Sequence, residues 1–489
     1  MKRTLASLLC VLLTISVFAA CGEQAQGGAP AASTTAQSAG DAAAETEAEI
    51  TDGLPDTDLQ GWTFKIHHFD DSWLTWALTQ LDAKEENGEL LNDSIYRRNR
   101  GIEERFNCKL DISDEPNIDE NTLLTAALAG DDGYDLWFAY DLRIVGAAQV
   151  LTSWDDIPYI RLSSEWWNPQ ASDVFRLGGK LYAAAGNYSL SVLSRAAGYC
   201  FNKGIFADLN LGEDIYQIAT DGKWRLQKLY DYSKAAASDL NGDGQMDEND
   251  RFGITGSWKE VMNRMMLGSG IQYISKDENG YPVFSLPEDE GAITKMMHIY
   301  DLFTDPDVYH GKKANVAETG SLGDFKNSGA LFAVDNLLGL GNKRDYDIDI
   351  GFVPCPKYDE SQSEYYAPSF GAEISVILKN VPVERYENMG LLLEAMAFAT
   401  NRDIIPDYKE VLLKTKYARD NESEAMIDIV INSISFEFGL NAWQETVANP
   451  LVIGTFCKFN NNFVSQLEKM SKPVNKTIDK LIAAIEADA

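Results

Sequence analysis

The chain has 489 residues, with 42 Lys and Arg against 75 Asp and Glu, a net charge of −33. That balance makes nucleic acid and anionic membrane surfaces poor partners, because both are held by Lys and Arg, while 45% hydrophobic residues exclude an acidic disordered chain. The length suggests two to three domains at roughly 150 residues each, and four histidines speak against a multi-histidine metal site.

Chain order begins with an address. Lys2 and Arg3 precede an apolar run from Leu5 to Phe18, then the small Ala19 and Ala20. This run is shorter than the ~20 residues that span a bilayer and reads as a secretory signal over 1–20. Val17-Phe18-Ala19-Ala20-Cys21 resembles the lipobox of bacterial lipoproteins, which implies that Cys21 becomes the lipidated first residue, carrying palmitate-type chains. More than one acyl chain is enough for stable anchoring. Residues 21–58 are Ala, Gly, Ser, Thr and acid, with no aromatic between Phe18 and Trp62. Such a stretch buries too little apolar surface to offset its ordering entropy and reads as a flexible tether. No second spanning segment is expected, so the membrane is reached through the lipid anchor only, at the extracellular face.

From Trp62 the pattern changes. Residues 63–69 alternate as a strand, 92–106 repeat at helical spacing, 108–113 form a second strand, 120–129 a helix and 134–140 a buried strand. Strand, helix, strand, helix, strand is the grammar of a parallel sheet covered by helices. Further strands are expected at 180–184, 197–202, 330–334, 348–353 and 374–378, and helices at 224–236, 383–399 and 464–487. Cys108, Cys200, Cys355 and Cys457 lie far apart in apolar settings, as core thiols do.

One segment carries metal-loop chemistry. Asp239-Leu240-Asn241-Gly242-Asp243-Gly244-Gln245-Met246-Asp247-Glu248-Asn249-Asp250 places oxygen side chains at positions one, three, five, nine and twelve of a calcium loop. Those are Asp239, Asn241, Asp243, Asp247 and Asp250. Gln245 offers its backbone carbonyl at position seven, and Gly244 sits where the loop turns. Clustered carboxylates repel one another without a cation, so one structural Ca2+ is expected here. Position twelve is Asp rather than Glu, and the following Phe252 to Thr255 reads as a strand, so this is a single loop and not a sensor pair.

The segments LPDTDLQGWTFKI, NDSIYRRNRGIEERF, YDLWFAYDLRIVG, GGKLYAAAGNYSLSVLSRAAGYCFNKGIF, DLNGDGQMDENDRFGI and GFVPCPKYDE followed by FGAEISVILKN occur in this order. In that order they resemble the extracellular solute-binding proteins of carbohydrate ABC importers, the class that contains maltose-binding protein. The resemblance covers nearly all of 54–480. It implies an α/β chain of two lobes, each a mixed sheet flanked by helices, with the ligand cleft between them. Lobe one is expected at 59–165 and 325–380, and lobe two at 166–324 and 381–489.

It also implies a non-catalytic monomer that captures a sugar or oligosaccharide and delivers it to ABC permease subunits. Sugar sites pair ring faces with aromatics and hydroxyls with carboxylates, amides and Arg. Trp73 and Trp76 follow the first strand, and Tyr140, Asp141 and Arg143 follow the buried third. Asp335 and Asn336 end a strand near the expected crossover, and Phe436, Phe438 and Trp443 are the aromatics expected from the second lobe. Trp166 and Trp167 are expected to pack at the lobe junction. Gly-x-Ser-x-Gly, a phosphate loop and His-Glu-x-x-His are all absent. Two rival readings stay open: a surface-anchored glycosidase, whose paired acids need not be neighbours in sequence, and a polysaccharide-binding surface module without a transporter.

Overall fold

The structure, a computed structural model, describes residues 51–69, 80–115, 120–139, 145, 148–309, 324–343, 345–413 and 421–487. The signal, Cys21, nearly all of the tether, Trp73, Trp76, Tyr140, Asp141 and Arg143 lie outside these residues. Among those described, no helix is long and apolar enough to cross a membrane.

The strands that form the two main sheets and their connections are β1 (Trp62–Phe69), β2 (Cys108–Glu115), β3 (Leu136–Ala139), β4 (Ala197–Asn202), β5 (Phe252–Thr255), β6 (Ala330–Asn336), β7 (Ile350–Pro354), β8 (Ala367–Pro368), β9 (Ile374–Val376) and β10 (Ile434–Ser435). The helices used below are α1 (Leu90–Phe106), α2 (Glu120–Ala129), α3 (Pro169–Phe175), α4 (Leu226–Ala236), α5 (Trp258–Gly268), α6 (Tyr386–Ala399), α7 (Ile405–Leu413), α8 (Asn421–Asn432) and α9 (Phe463–Glu486). Sheet one has the order β9-β3-β1-β2 and sheet two the order β7-β4-β6-β5. β1 runs parallel to both β2 and β3, with Ile66 opposite Leu136, and β9 closes the sheet antiparallel to β3. In sheet two, β4 is antiparallel to β6 and β7, while β5 is parallel to β6.

Local chemistry explains why these elements form. Phe64, Ile66, His67 and His68 of β1 are all buried, as expected of a parallel strand covered on both faces. His67 stacks on Trp137 at 4.7 Å, and burial holds its imidazole neutral, down to about 4. α1 buries Ile95, Arg98, Asn99, Ile102 and Phe106 at helical spacing and stops at Asn107, which turns left-handed (φ 46°). α5 starts at Ser257, whose Oγ accepts the Glu260 N–H at 3.2 Å. α9 buries Phe463, Leu467, Met470, Val474, Ile478, Leu481 and Ile485 along one stripe, each worth about 1.5–3 kcal/mol relative to exposure.

The chain divides differently from the expected boundaries. β6 and β7, expected in lobe one, pair with β4 and β5 in sheet two. α6 and α7, expected in lobe two, pack on α1 beside sheet one, whereas α8 packs on β7. Of the strand expected at 180–184, only Lys180–Leu181 forms a ladder, and Ala184 makes a single bridge to Ser375. The four described cysteines are free, and burial raises the Cys108 thiol to about 11 and that of Cys355 to about 12.

Trp166 and Trp167 are nearly fully buried, and both indole N–H groups donate to the carboxylate of Glu394 in α6, each at 2.8 Å. Arg161 donates to the same carboxylate through Nε at 2.8 Å and through its backbone N–H at 3.2 Å. The helix approaches this loop closely at Gly390, where a Cβ would lie 1.8 Å from the Pro158 carbonyl oxygen.

Candidate functional site

In open α/β sheets ligands sit beyond the carboxyl ends of the strands. In sheet one these are Phe69 of β1 and Ala139 of β3. In sheet two they are Thr255 of β5 and Asn336 of β6, with Ala197, the start of β4, on the same edge opposite Asn336. Among the described residues, two segments run directly from one sheet to the other. Ala184 bridges Ser375 in sheet one, and Ala196 bridges Ser369 next to sheet two. Residues 185–196 and 369–373 therefore form the joint, flanked by β8, which pairs in parallel with β10.

Polar groups within the joint hold the two segments together. Arg195 Nε donates to the Phe370 carbonyl at 2.7 Å, the Glu373 N–H donates to Ser191 Oγ at 2.7 Å, and Ser369 Oγ donates to the Val192 carbonyl at 3.1 Å. Arg195 and Glu373 are buried charged residues where the strand ends converge. The sequence reading did not single them out, although a charge inside each of the runs SLSVLSRAAGY and FGAEISVIL was a visible signal.

The expected first-lobe ligand residues follow β1 and β3 directly in sequence but lie outside the described residues. The others are placed. Asp335 is ion-paired with Lys343, and Asn336 Oδ1 accepts the Gly339 N–H at 2.9 Å, capping the short helix Leu337–Asn342. Their polar atoms are thus engaged locally. Phe436, Phe438 and Trp443 are buried. Phe438 meets Trp443 edge-on at 4.8 Å, and Phe175 of α3 packs against Phe436 at 5.9 Å. These rings come together, but against one another and α3, apart from Asp335 and Asn336.

Glu437, between the two phenylalanines, is buried and accepts the N–H groups of Tyr273 at 3.1 Å, Ile274 at 2.9 Å and Leu440 at 2.6 Å. Burial pushes its carboxyl up to about 7, against the opposing pull of these N–H groups. Phe436, Glu437 and Phe438 line a cavity of about 220 Å3 together with Asp173 and Lys276.

The loop 239–250 is exposed apart from Asp239, Met246 and Asp247, which are half-buried, and Asp250, which is buried. Its side-chain oxygens organise the turn. Asp239 accepts from the N–H groups of Gly242 and Gly244 at 2.6 and 2.8 Å, Asn241 from Asp243 at 2.8 Å, and Asp243 from Gln245 at 2.8 Å. Asp250 accepts from Asp247 at 2.8 Å and Leu240 at 2.9 Å, and these N–H groups, that of Asp247 first, hold its carboxyl below the usual range. Gly242 and Gly244 both adopt positive φ (74° and 80°), which the sharp turn requires. Among the described residues no group of three or more His, Cys, Asp or Glu converges closely enough to hold a metal. The donor types fit a hard cation, while their present orientation serves backbone N–H groups.

Two larger cavities occur among the described residues. One of about 820 Å3 is walled by the segment before α3, by the joint at Ala185–Asn187, Val192 and Leu193, and by α7 and α8. Another, of about 730 Å3, lies between α1 and α6 and is lined by Arg97, Arg98, Arg105 and Arg402. Each of these arginines is engaged by protein: Arg97 with Glu86, Arg105 with Asp52, Arg402 with Asp403, and Arg98 with the carbonyls of Leu81 and Tyr188.

No family model and no curated protein matches this chain. Solved structures do. The ABC substrate-binding protein Lmo0181 from Listeria monocytogenes, solved in complex with cycloalternan, superposes with a TM-score of 0.50 at 13% identity, over 87% of this chain and 99% of that one. A cyclo/maltodextrin-binding protein complexed with maltotetraose gives a TM-score of 0.51 at 14% identity, over 86% and 97%. The fold is therefore the two-lobe α/β architecture of such substrate-binding proteins.

Proposed function

We propose that this chain is the lipid-anchored, extracellular solute-binding component of an ABC importer, and that its solute is a sugar or oligosaccharide. The observation that carries the reading is the joint: two segments, 185–196 and 369–373, link two mixed sheets whose strand ends converge there. This architecture is shared with proteins solved holding cycloalternan and maltotetraose. A chain so built responds to a ligand that contacts both sides by favouring the closed arrangement, to the extent of the differential affinity. Trp73, Trp76, Tyr140, Asp141 and Arg143 supply the first wall in this proposal. Arg195 and Glu373, at the joint, add hydrogen-bonding charges that cost little only where polar partners meet them. A micromolar site needs about −8.2 kcal/mol in total. No chemical step is assigned: the protein captures and releases its solute unchanged and passes it to permease subunits.

Titration calorimetry with maltotetraose and cyclic oligosaccharides tests this. Trp76→Ala is expected to weaken binding at least tenfold, about 1.4 kcal/mol, with the melting temperature of the empty protein unchanged. A fall of several degrees with affinity retained would place Trp76 in the core instead. Product release during titration would favour the glycosidase reading.

Anchoring is tested separately, since Cys21→Ser is expected to move the protein from the membrane to the soluble fraction. The loop 239–250 is proposed to take one Ca2+ through Asp239, Asn241, Asp243, Asp247, Asp250 and the Gln245 carbonyl, after side-chain rotation away from the N–H groups they now hold. Binding at 100 times the dissociation constant adds about 2.7 kcal/mol to the folded state. Chelator is then expected to lower the melting temperature, and Asp243→Ala to abolish that response.

A further inference from the structure

We propose that the 820 Å3 cavity beside the first crossing segment is a second small-molecule site, taking a neutral, hydroxyl-rich ligand. Its volume falls within the roughly 300–1,000 Å3 of small-molecule pockets. Of the residues assigned above to sugar capture, the two that are described, Arg195 and Glu373, do not line it. Its wall is built one segment beyond the β9 edge of sheet one, where Gly186 bridges Trp167 and Ala184 bridges Ser375.

The chemistry of the wall selects the ligand. Gln170, Asn187, Asn401 and Asn432 present carboxamides. A carboxamide both donates and accepts, as a hydroxyl does, so amides match a polyol better than an ion. Charge excludes anions. Glu165, Glu410 and Glu424 face the cavity against one cation, Lys409, whose ammonium already lies 2.6 Å from the Asp428 carboxylate. Apolar surface is supplied by the exposed Pro169 and Pro406 and the half-buried Ile431, so the carbon face of a sugar ring would find apolar contact beside hydroxyl partners.

The wall is also pre-oriented. Asn187 Nδ2 donates to Asn401 Oδ1 at 2.8 Å, and Asn401 Nδ2 donates to Glu165 Oε1 at 2.9 Å. Asn401 belongs to a π-helical turn, Thr400–Ile404, between α6 and α7; such turns are rare and concentrate at functional sites. Arg98 fixes this turn from behind, since one nitrogen donates to Thr400 Oγ1 at 2.9 Å and to the Tyr188 carbonyl at 3.0 Å. Gln170 and Asn432 are exposed to the cavity, and neither side chain is held by another described group.

The test uses the detergent-solubilised full chain, with D-glucose, maltose and maltotetraose as probes in titration calorimetry and citrate as an anionic competitor. The expected result is two binding events. In Gln170→Leu/Asn432→Leu one of them weakens at least tenfold while the other and the melting temperature hold. Should the double variant melt early, Asn432→Ser alone carries the same readout. Events all unchanged in these variants would overturn the site, as would competition by citrate for the affected event. A single wild-type event that the double variant removes would support the cavity and overturn sugar capture at the strand ends. A wild type that binds none of the three sugars would overturn both.

Discussion

Two buried carboxylates, Glu394 and Glu437, are held by opposite means. Glu394 has a fully buried side chain yet meets a guanidinium, that of Arg161, and two indole N–H groups. Glu437 has no cation at salt-bridge distance among the described residues and is caged by backbone N–H groups from 273–274 and 440. An ion pair keeps a buried charge in place by Coulomb attraction, whereas N–H dipoles soften the desolvation cost without cancelling it. The Glu437 carboxyl accordingly rises to about 7. The first arrangement is a clamp between α6 and the 161–167 loop. The second is a joint between a turn and the aromatic cluster around Phe436 and Phe438, and its stability depends on pH.

The largest expected effect comes from removing the clamp. Glu394→Ala leaves two buried indole donors and part of a guanidinium without their acceptor and should cost about 3–5 kcal/mol, read as a lower urea midpoint. A shift below about 1 kcal/mol would mean that water replaces the carboxylate, and the clamp would be incidental.

Next is the pH response of Glu437. A carboxyl whose folded pKa lies above its unfolded value contributes stability that is complete below the unfolded value and lost as pH rises through the folded one. Stability should therefore fall between about pH 4.5 and 7 by an amount on the order of 2–3 kcal/mol. Glu437→Gln should remove that slope without altering the curve below pH 4.5. Identical pH profiles for the two proteins would show that the N–H cage holds an ordinary carboxylate.

Arg161→Met sharpens the contrast by converting one kind of site toward the other. Glu394 would keep its indole donors but lose its cation, at a cost of about 1.5–3 kcal/mol near neutral pH. The loss is read as a lower urea midpoint, and an unchanged midpoint would assign the clamp to the indoles alone. The smallest effects belong to Trp166→Phe and Trp167→Phe, which each delete one donor and should cost about 1–2 kcal/mol. If the pair is strongly non-additive in a double-mutant cycle, Glu394 re-aims between them.

Much of this architecture was legible locally. The helix at 90–106 follows from Ile95, Ile102 and Phe106 on one side, and the C-terminal helix from its apolar stripe. Sheet membership was not legible. Every residue of β7 is buried, and a uniformly apolar strand reads alike whichever sheet receives it, so β6 and β7 were expected in the wrong one. The charge of Glu394 inside an apolar run was visible, but its partner Trp166 lies 228 positions away. At the site, Phe436, Phe438 and Trp443 were expected as ligand-facing aromatics, and their packing against one another and Phe175 was not legible. The large cavity was invisible for the same reason, since Gln170 and Asn432 meet only through folding.

By itself the sequence determined the periods of its helices and strands and the turn chemistry of 239–250. Each of these rests on interactions within a few residues, where side-chain spacing and backbone preference act directly. The tertiary structure alone decided which strands share a sheet, which buried carboxylate receives a cation and which amides face a common cavity. Those outcomes depend on contacts between distant positions, whose energies exist only once the chain has brought them together.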